Sequence, residues 1–400
     1  MEVPMNSSDA KRSSLRGFSY NVIRRPKQEH GFLLILFFVA LVAIGLTNLY
    51  SAASGTKMLY FTTQSKHLVL STAAFAFCAW GLSVRHLNTY AYIFFGINFL
   101  LLTMVLVMGH TAGGAQRWIL LGGFRFQPSE TAKIVIAIYV AKFFYNNKQI
   151  YIYGLRELAP VMLGCLATFF LIFKQPDLGT AGLCLLIAAS QVLFIRIRMK
   201  SILIVAGAGF SAAIAGWFFF LHDYQRLRIL NLLNPNLDPQ GTGYNSLQSL
   251  VAIGSGGLFG KGFLEGTQSH LSFLPARHTD FIFSVFAEEH GFWGGILVFA
   301  LFGGFTYVGL EIARSAKDTF NSLLAVGMTA FIFLEFLINV SMVLGLFPVV
   351  GMPLPFFSYG GSSLISLCIA VGILVAIDRD NATSRHGSVG GGKSFEKIGI

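Results

Sequence analysis

Apolar residues fall in long runs broken by short polar segments, at about 31–53, 67–84, 90–109, 130–147, 158–173, 179–195, 201–221, 281–310, 320–347 and 362–378. A run of roughly 17 to 25 residues can cross the hydrocarbon core as a helix. The pattern therefore predicts an all-α polytopic membrane protein with about ten transmembrane helices. The fifth and sixth runs are short, so their flanks are expected to add turns. One polar stretch, 222–280, is too long for a simple connector. It carries LRILNLLNPNLDP, then YNSLQSLVAI with Leu247, Leu250 and Val251 at helical spacing, then GSGGLFGKG. That composition predicts folded turns and a short amphipathic helix lying on the membrane domain. The expected organisation is a basic tail at 1–30, one membrane domain at 31–378 that includes the large loop, and a second tail at 379–400. The chain carries no clear internal repeat of the transporter kind.

Charge adds an orientation. With the N-terminus inside, the inner segments hold eighteen Lys and Arg, and the outer ones hold nine: Lys57, Lys66, Arg117, Arg125, Lys174, Arg226, Arg228, Lys261 and Arg277. Positive residues concentrate on the cytoplasmic side, so both termini are expected there and the 222–280 loop outside. The net charge of +11 then reflects topology, and no nucleic-acid partner is expected. Only 12% of residues are charged, against roughly 25% in a soluble domain. Cys78, Cys165, Cys184 and Cys368 lie inside apolar runs without metal-ligand spacing and read as small core residues.

The candidate chemistry gathers at the outer ends of the runs. In AQRWILLGGFRFQPSETAK, Glu130 and Lys133 are three apart and share a helix face; they are either a self-neutralising pair or a substrate contact. Arg117 and Trp118 precede them, as an interfacial anchor or as part of a site. The turn KQPDLGTA offers Lys174 and Asp177, with Asp177 either capping the next helix or binding. GSGGLFGKG lacks the GK[ST] ending, and Phe259 breaks GxGxxG, so it reads as a flexible turn; in a weaker functional version its N–H groups and Lys261 face a phosphate. The segment from Asn339 to Ser363 breaks its apolar pattern with Pro348, Pro353, Pro355, Gly360 and Gly361. Broken backbone at membrane depth lines a cavity or is buried in protein, where Ser358 and Ser362 supply polar groups. Arg277, His278, Thr279 and Asp280 stand where the long loop enters the eighth run. Thr279 or Asp280 either caps that helix or does chemistry. Glu288 and Glu289 follow inside the run, where carboxylates are functional candidates or structural partners of a cation.

Taken in order, these pieces resemble the SEDS proteins (shape, elongation, division and sporulation), and within them the RodA type. The matching stretches are NLYSA at 48–52, RW at 117–118, QPSE with Lys133, QPDLGT at 175–180, GYNSLQSLVAIGSGGLFGKG at 243–262, LPxxHTDFIF at 274–283 with AEE following, and GMPLPFFSYGGSS. One departure is Ala276, where many relatives carry an acid. The resemblance implies a peptidoglycan glycosyltransferase in the bacterial inner membrane, polymerising lipid II at the outer face during cell elongation beside a class B penicillin-binding protein. It implies Asp280 as catalytic acid–base residue, Glu130 and Lys133 as the family's Glu–Lys pair, and support from a divalent cation such as Mg or Mn. The residues agree with that chemistry. Asp280 is the acid set at the membrane edge within reach of a lipid-anchored sugar, and partial burial raises a carboxylate pKa toward a useful value. A pyrophosphate leaving group needs cations, and Arg117, Lys174, Arg226 and Arg277 are the expected holders. A lipid flippase or transporter, or a non-catalytic scaffold for cell-wall synthases, would suit the same run pattern.

Overall fold

The computed structural model describes residues 30–54, 58–112, 115–121, 124–234, 241–267 and 276–390. The basic tail 1–29, Lys57, residues 235–240 with Asp238, Leu274 and Pro275 of the LPxxHTDFIF stretch, and residues 391–400 lie outside them.

Each of the ten apolar runs lies on a helix. In chain order these are α1 (His30–Ala53), α2 (Met58–Ala76), α3 (Val84–Met108), α4 (Pro128–Asn146), α5 (Leu155–Phe173), α6 (Leu178–Val192), α7 (Met199–Ala215), then α10 (Ile282–Arg314), α11 (Thr319–Val343) and α12 (Gly361–Gly390). Between α7 and α10, the long loop folds into α8 (Asp223–Leu233) and α9 (Thr242–Gly256). Among the described residues, seven helices are long and apolar enough to cross a membrane alone. The other three, α2, α4 and α6, are shorter or interrupted by polar residues, and α4 and α6 pack centrally. In α4 the interrupting residues Glu130 and Lys133 are themselves buried. They face protein, so the helix can carry charge.

The core is α11 and α12 packed with α4, α6, α1 and α10. By contrast, α7 buries only Ser201 and stands at the edge. Helix α2 begins earlier than its apolar run because Gln64 points inward, so Lys66, read as a loop cation, sits on this helix.

A small antiparallel sheet precedes α4, with β1 (His110–Ala112), β2 (Ala115–Leu121) and β3 (Phe124–Phe126) in that order. The sequence reading treats 110–127 as loop. The available signal was the two Gly-Gly pairs at 113–114 and 122–123, each set between short β-prone runs as in a hairpin. Strands of three residues are too short for alternation to register. Pro128 then opens α4 at its first turn, where its missing N–H and fixed φ suit a helix start.

Candidate functional site

The stretch 276–281 is turn rather than helix, so its carbonyls have no helical partners. At membrane depth such groups must be satisfied inside the protein. Three neighbouring elements do this, here and at the adjoining Ile282. Tyr359 N–H donates to the His278 carbonyl at 2.9 Å, and the Ser358 hydroxyl to the Thr279 carbonyl at 2.7 Å. The Asn339 amide donates to the Asp280 carbonyl at 2.8 Å, and the Asn48 amide to the Ile282 carbonyl at 3.1 Å. Asn339 also donates to Met352 O at 2.7 Å, and Ser358 accepts from Leu354 N–H at 2.7 Å. The proline-broken segment therefore does not form a free turn; it is the bracket that holds the Asp280 backbone. Gln64 of α2 steadies that bracket through Ser358 O and Gly360 N–H. Thr279 and Asp280 do not cap the following helix: its N-cap is Phe281, without a side-chain bond. That leaves the Asp280 carboxylate for other work.

The carboxylate is half-buried. Burial pushes its pKa up to about 6, against the pull of Arg228, Arg117 and the Thr279 hydroxyl, while Asp177 adds to the rise. Gly351 has φ of +73°, and a Cβ there would stand 3.4 Å from Asp280 Oδ2, so the bracket's backbone lies directly against the carboxylate.

Arg117 on β2 donates from Nε to Gln175 O at 3.0 Å and also to Pro176 O, and its Nη1 lies 3.6 Å from Asp177 Oδ2. Asp177 also accepts from Thr180 N–H at 3.2 Å. Asp177 therefore caps α6, and its charge and that of Arg117 both act on Asp280. Arg228 on α8 is the cation the sequence reading passed over; no local spacing on α8 points it out. It stands at an apolar cavity of about 280 Å³ whose walls include Leu183, Ile338, Phe347, Val350 and Met352.

Not every expected residue converges here. Lys174 rests on the Phe170 ring at 4.8 Å. Arg226 donates to Trp217 O and Phe218 O, closing the C-terminal end of α7. Arg277 is buried and donates to Ala52 O at 3.1 Å. The His278 ring stacks on Tyr60, centroids 4.2 Å apart. Trp118 is half-buried and pairs across the sheet with His110. Ser362 donates to Arg125 O at 2.8 Å and ties α12 to β3.

Glu130 and Lys133 do pair, at 2.8 Å, but a third residue joins them. Glu335 of α11 lies 3.1 Å from Lys133 Nζ, and Ser366 of α12 donates to Glu130 at 3.2 Å. The three charges bind α4 to α11 and α12. Glu335 escaped the sequence reading because a lone acid in an apolar run gives no hint of a partner two hundred residues away.

The glycine-rich 254–262 segment is neither a flexible turn nor a phosphate cradle. Gly291 breaks α10 at φ +66°, which frees backbone groups on both sides. Lys261 and Gly262 N–H donate to the Glu288 and Glu289 carbonyls, while Phe292 and Trp293 N–H donate to Gly257 and Leu258 O. A Cβ on Gly260 would stand 2.1 Å from Glu289 O, and one on Gly291 would stand 2.3 Å from Gly260 N. The glycines let two backbones touch. The side chains follow: Lys261 pairs with Glu288 at 2.7 Å, and Glu289 accepts from Ser51 of the NLYSA motif.

Among the described residues, no group of three or more His, Cys, Asp or Glu stands together as a metal cage.

A polytopic helical membrane protein with one braced carboxylate at the mouth of its helices is what fold and site define. The chain belongs to the cell cycle protein family of FtsW, RodA and SpoVE, which it matches over residues 31–383. It is 44% identical over 293 residues to the peptidoglycan glycosyltransferase MrdB of Escherichia coli K12, covering 72% of this chain and 76% of that one. It is 33% identical to the stage V sporulation protein E of Bacillus subtilis, covering 88% and 98%. Among solved structures it resembles a chain of a peptidoglycan synthase complex that coordinates polymerization and crosslinking (TM-score 0.73, 31% identity, 87% and 97% covered). It also resembles the rod shape determining protein RodA of Thermus thermophilus (TM-score 0.65, 30% identity, 87% and 96% covered).

Proposed function

We propose that the protein is a peptidoglycan glycosyltransferase of the RodA type that joins lipid II units into glycan strands during cell elongation. The observation that carries the reading is the Asp280 carboxylate, braced by its backbone, half-buried, and faced by Arg228 and Arg117. In this mechanism Asp280 takes the proton from the acceptor sugar hydroxyl. That oxygen bonds to the donor's anomeric carbon as the bond from that carbon to the pyrophosphate oxygen breaks. The lipid pyrophosphate leaves with both electrons, its charge met by Arg228 and Arg117. The apolar cavity beside Arg228 suits the first isoprenoid units of a lipid substrate. A divalent cation in this reading would be carried in by the pyrophosphate, whose oxygens are hard ligands of the kind Mg prefers.

The charge bias of the loops supports an inner-membrane protein with both termini cytoplasmic, ten spans, and Asp280 facing outward. The likeness to a synthase complex that couples polymerization to crosslinking supports a class B penicillin-binding protein as partner. The test is the purified protein with lipid II in detergent, alone and with such a partner. Glycan strands from wild type and none from Asp280→Asn are expected. Translocation of lipid II across vesicles without strand formation would mean a flippase instead, and full cell-shape complementation by Asp280→Asn would mean a scaffold.

A further inference from the structure

At the far end of α10 from Asp280, the start of α3, the end of α4, the start of α11 and Asp380 of α12 enclose a polar cleft of about 500 Å³. Nothing in the glycosyl transfer uses it. Two cations and two acids line it, and two further cations, Lys142 and Lys148, stand behind its wall, Lys142 donating to Asn88 Oδ1 at 2.7 Å. The lining cations are Arg85 and Lys317, and Tyr145, also in its wall, carries Lys142 and Lys148 on its ring at 5.6 and 5.4 Å. The acids Asp318 and Asp380 are already engaged. Asp318 caps α11 through Asn321 N–H at 2.8 Å, while Asp380 binds Lys317 and accepts from the Asn321 amide at 3.1 Å. Arg85 has no ion-pair partner among the described residues and is exposed. With Lys317 and Asp380 paired, the positive charge at the cleft comes from Arg85 and from Lys142 and Lys148 behind its wall.

The face of α3 that lines it identifies the ligand. Arg85, Asn88 and Thr89 share one stripe of the helix. One and two turns further along the same stripe come Tyr92, Ile93, Gly96 and Leu100. Tyr92, Ile93 and Leu100 are large and exposed, at 46%, 56% and 64%, and a Cβ on Gly96 would meet nothing within 4 Å. A polar, cationic pocket therefore runs directly into an open apolar track pointing toward the membrane interior. A free phosphate would need the first but not the second.

We infer that this cleft binds an anionic phospholipid, its phosphate headgroup at Arg85, with Lys142 and Lys148 nearby, and an acyl chain along α3. Basic pockets between helices at the cytoplasmic boundary bind such headgroups, and each Lys or Arg contributes about 1 kcal/mol, roughly fivefold in affinity.

The experiment uses the full chain in nanodiscs of phosphatidylcholine doped with cardiolipin or phosphatidylglycerol, with retained lipid counted by native mass spectrometry and affinity followed by titration. Wild type is expected to retain the anionic lipid, and Arg85→Gln to weaken it about fivefold. Replacing Gly96 by Leu, to fill the apolar track, should weaken it without changing charge. Polymerisation by both variants in detergent should match wild type. That readout separates a failure here from a failure of the proposed reaction. Equal lipid retention by wild type and both variants would overturn the inference. So would full displacement by soluble glycerol phosphate, which would mark a free-phosphate site, or displacement by an acidic peptide at equal affinity, which would mark a protein contact.

Discussion

The side-chain amide of Asn339, near the C-terminal end of the largely buried α11, donates 2.8 Å to the backbone carbonyl of Asp280 and 2.7 Å to that of Met352. One side chain of α11 thus joins the turn that presents the carboxylate to the segment that walls it. Replacing Asn339 by Leu strands two buried carbonyls, at about 1–3 kcal/mol of stability each. The expected outcome is a lower melting temperature and polymerisation reduced more than tenfold, with lipid II affinity largely kept. Loss of binding in proportion to rate would place Asn339 in the substrate site instead.

Asp280 must be ionised to accept a proton, and burial raises its pKa to about 6. Activity should therefore be low below that pH, rise through it and level above, for groups other than Asp280 permitting. Arg228 holds the pKa down, so Arg228→Gln should move the acid limb to higher pH. The stability sign is the reverse of activity. A carboxyl whose folded pKa is raised binds its proton more tightly when folded, so its contribution falls as pH rises from the unfolded value near 4 through 6. Asp280→Asn should then lose at least ~10²-fold in rate while melting no lower than wild type at pH 7.5. A pH–rate profile and a melting curve check both halves.

Glu130, Lys133 and Glu335 form one buried charge group. Removing the shared cation with Lys133→Met leaves two carboxylates facing each other and should cost about 3–5 kcal/mol. Glu335→Gln leaves a neutral pair and should cost much less. The double variant Glu130→Gln with Lys133→Met still buries Glu335 without a cation, whereas adding Glu335→Gln removes the last charge. Thermal unfolding in detergent should recover in the triple variant. Polymerisation should not recover, if the pair also contacts substrate; a triple variant as active as wild type would make the group purely structural.

The backbone clasp on α10 gives a contrast within one glycine-rich segment. Gly260→Ala drives a Cβ to 2.1 Å from Glu289 O, while a Cβ on Gly254 meets nothing within 4 Å. Gly260→Ala should abolish folded protein or cost several kcal/mol, and Gly254→Ala, on a helix, should be neutral or slightly stabilising. Yield and melting temperature of the two variants decide it.

The outer cations should separate by role. Arg226 donates to the carbonyls at the end of α7, so Arg226→Gln should lower stability and spare lipid II affinity. Arg228→Gln should weaken lipid II binding, with a shallower salt dependence than wild type. Lys174→Gln should change neither. Affinity measured at two salt concentrations distinguishes the three.

By itself the sequence determined the class of the protein and singled out Asp280. Lipid imposes long apolar helices on any chain that crosses it, so the runs, their helical state and the break at Pro348–Pro355 could be read locally. Asp280 could be read too, because a carboxylate at such an edge is conspicuous against apolar surroundings. Only the tertiary structure decided what those residues touch. Asn339 and Glu335 sit one turn apart on α11, one reaching Asp280 and the other Lys133; within their own run they are merely two polar letters. Arg228, not Arg226, acts on the Asp280 charge, because two positions apart on the helix α8 they point to different sides. Gly256, Gly260 and Gly291 look in sequence like any loop glycine, and become necessary only where two backbones meet. Hydrogen bonds and ion pairs act within about 3–4 Å, and separation along the chain carries no information about which distant groups come that close.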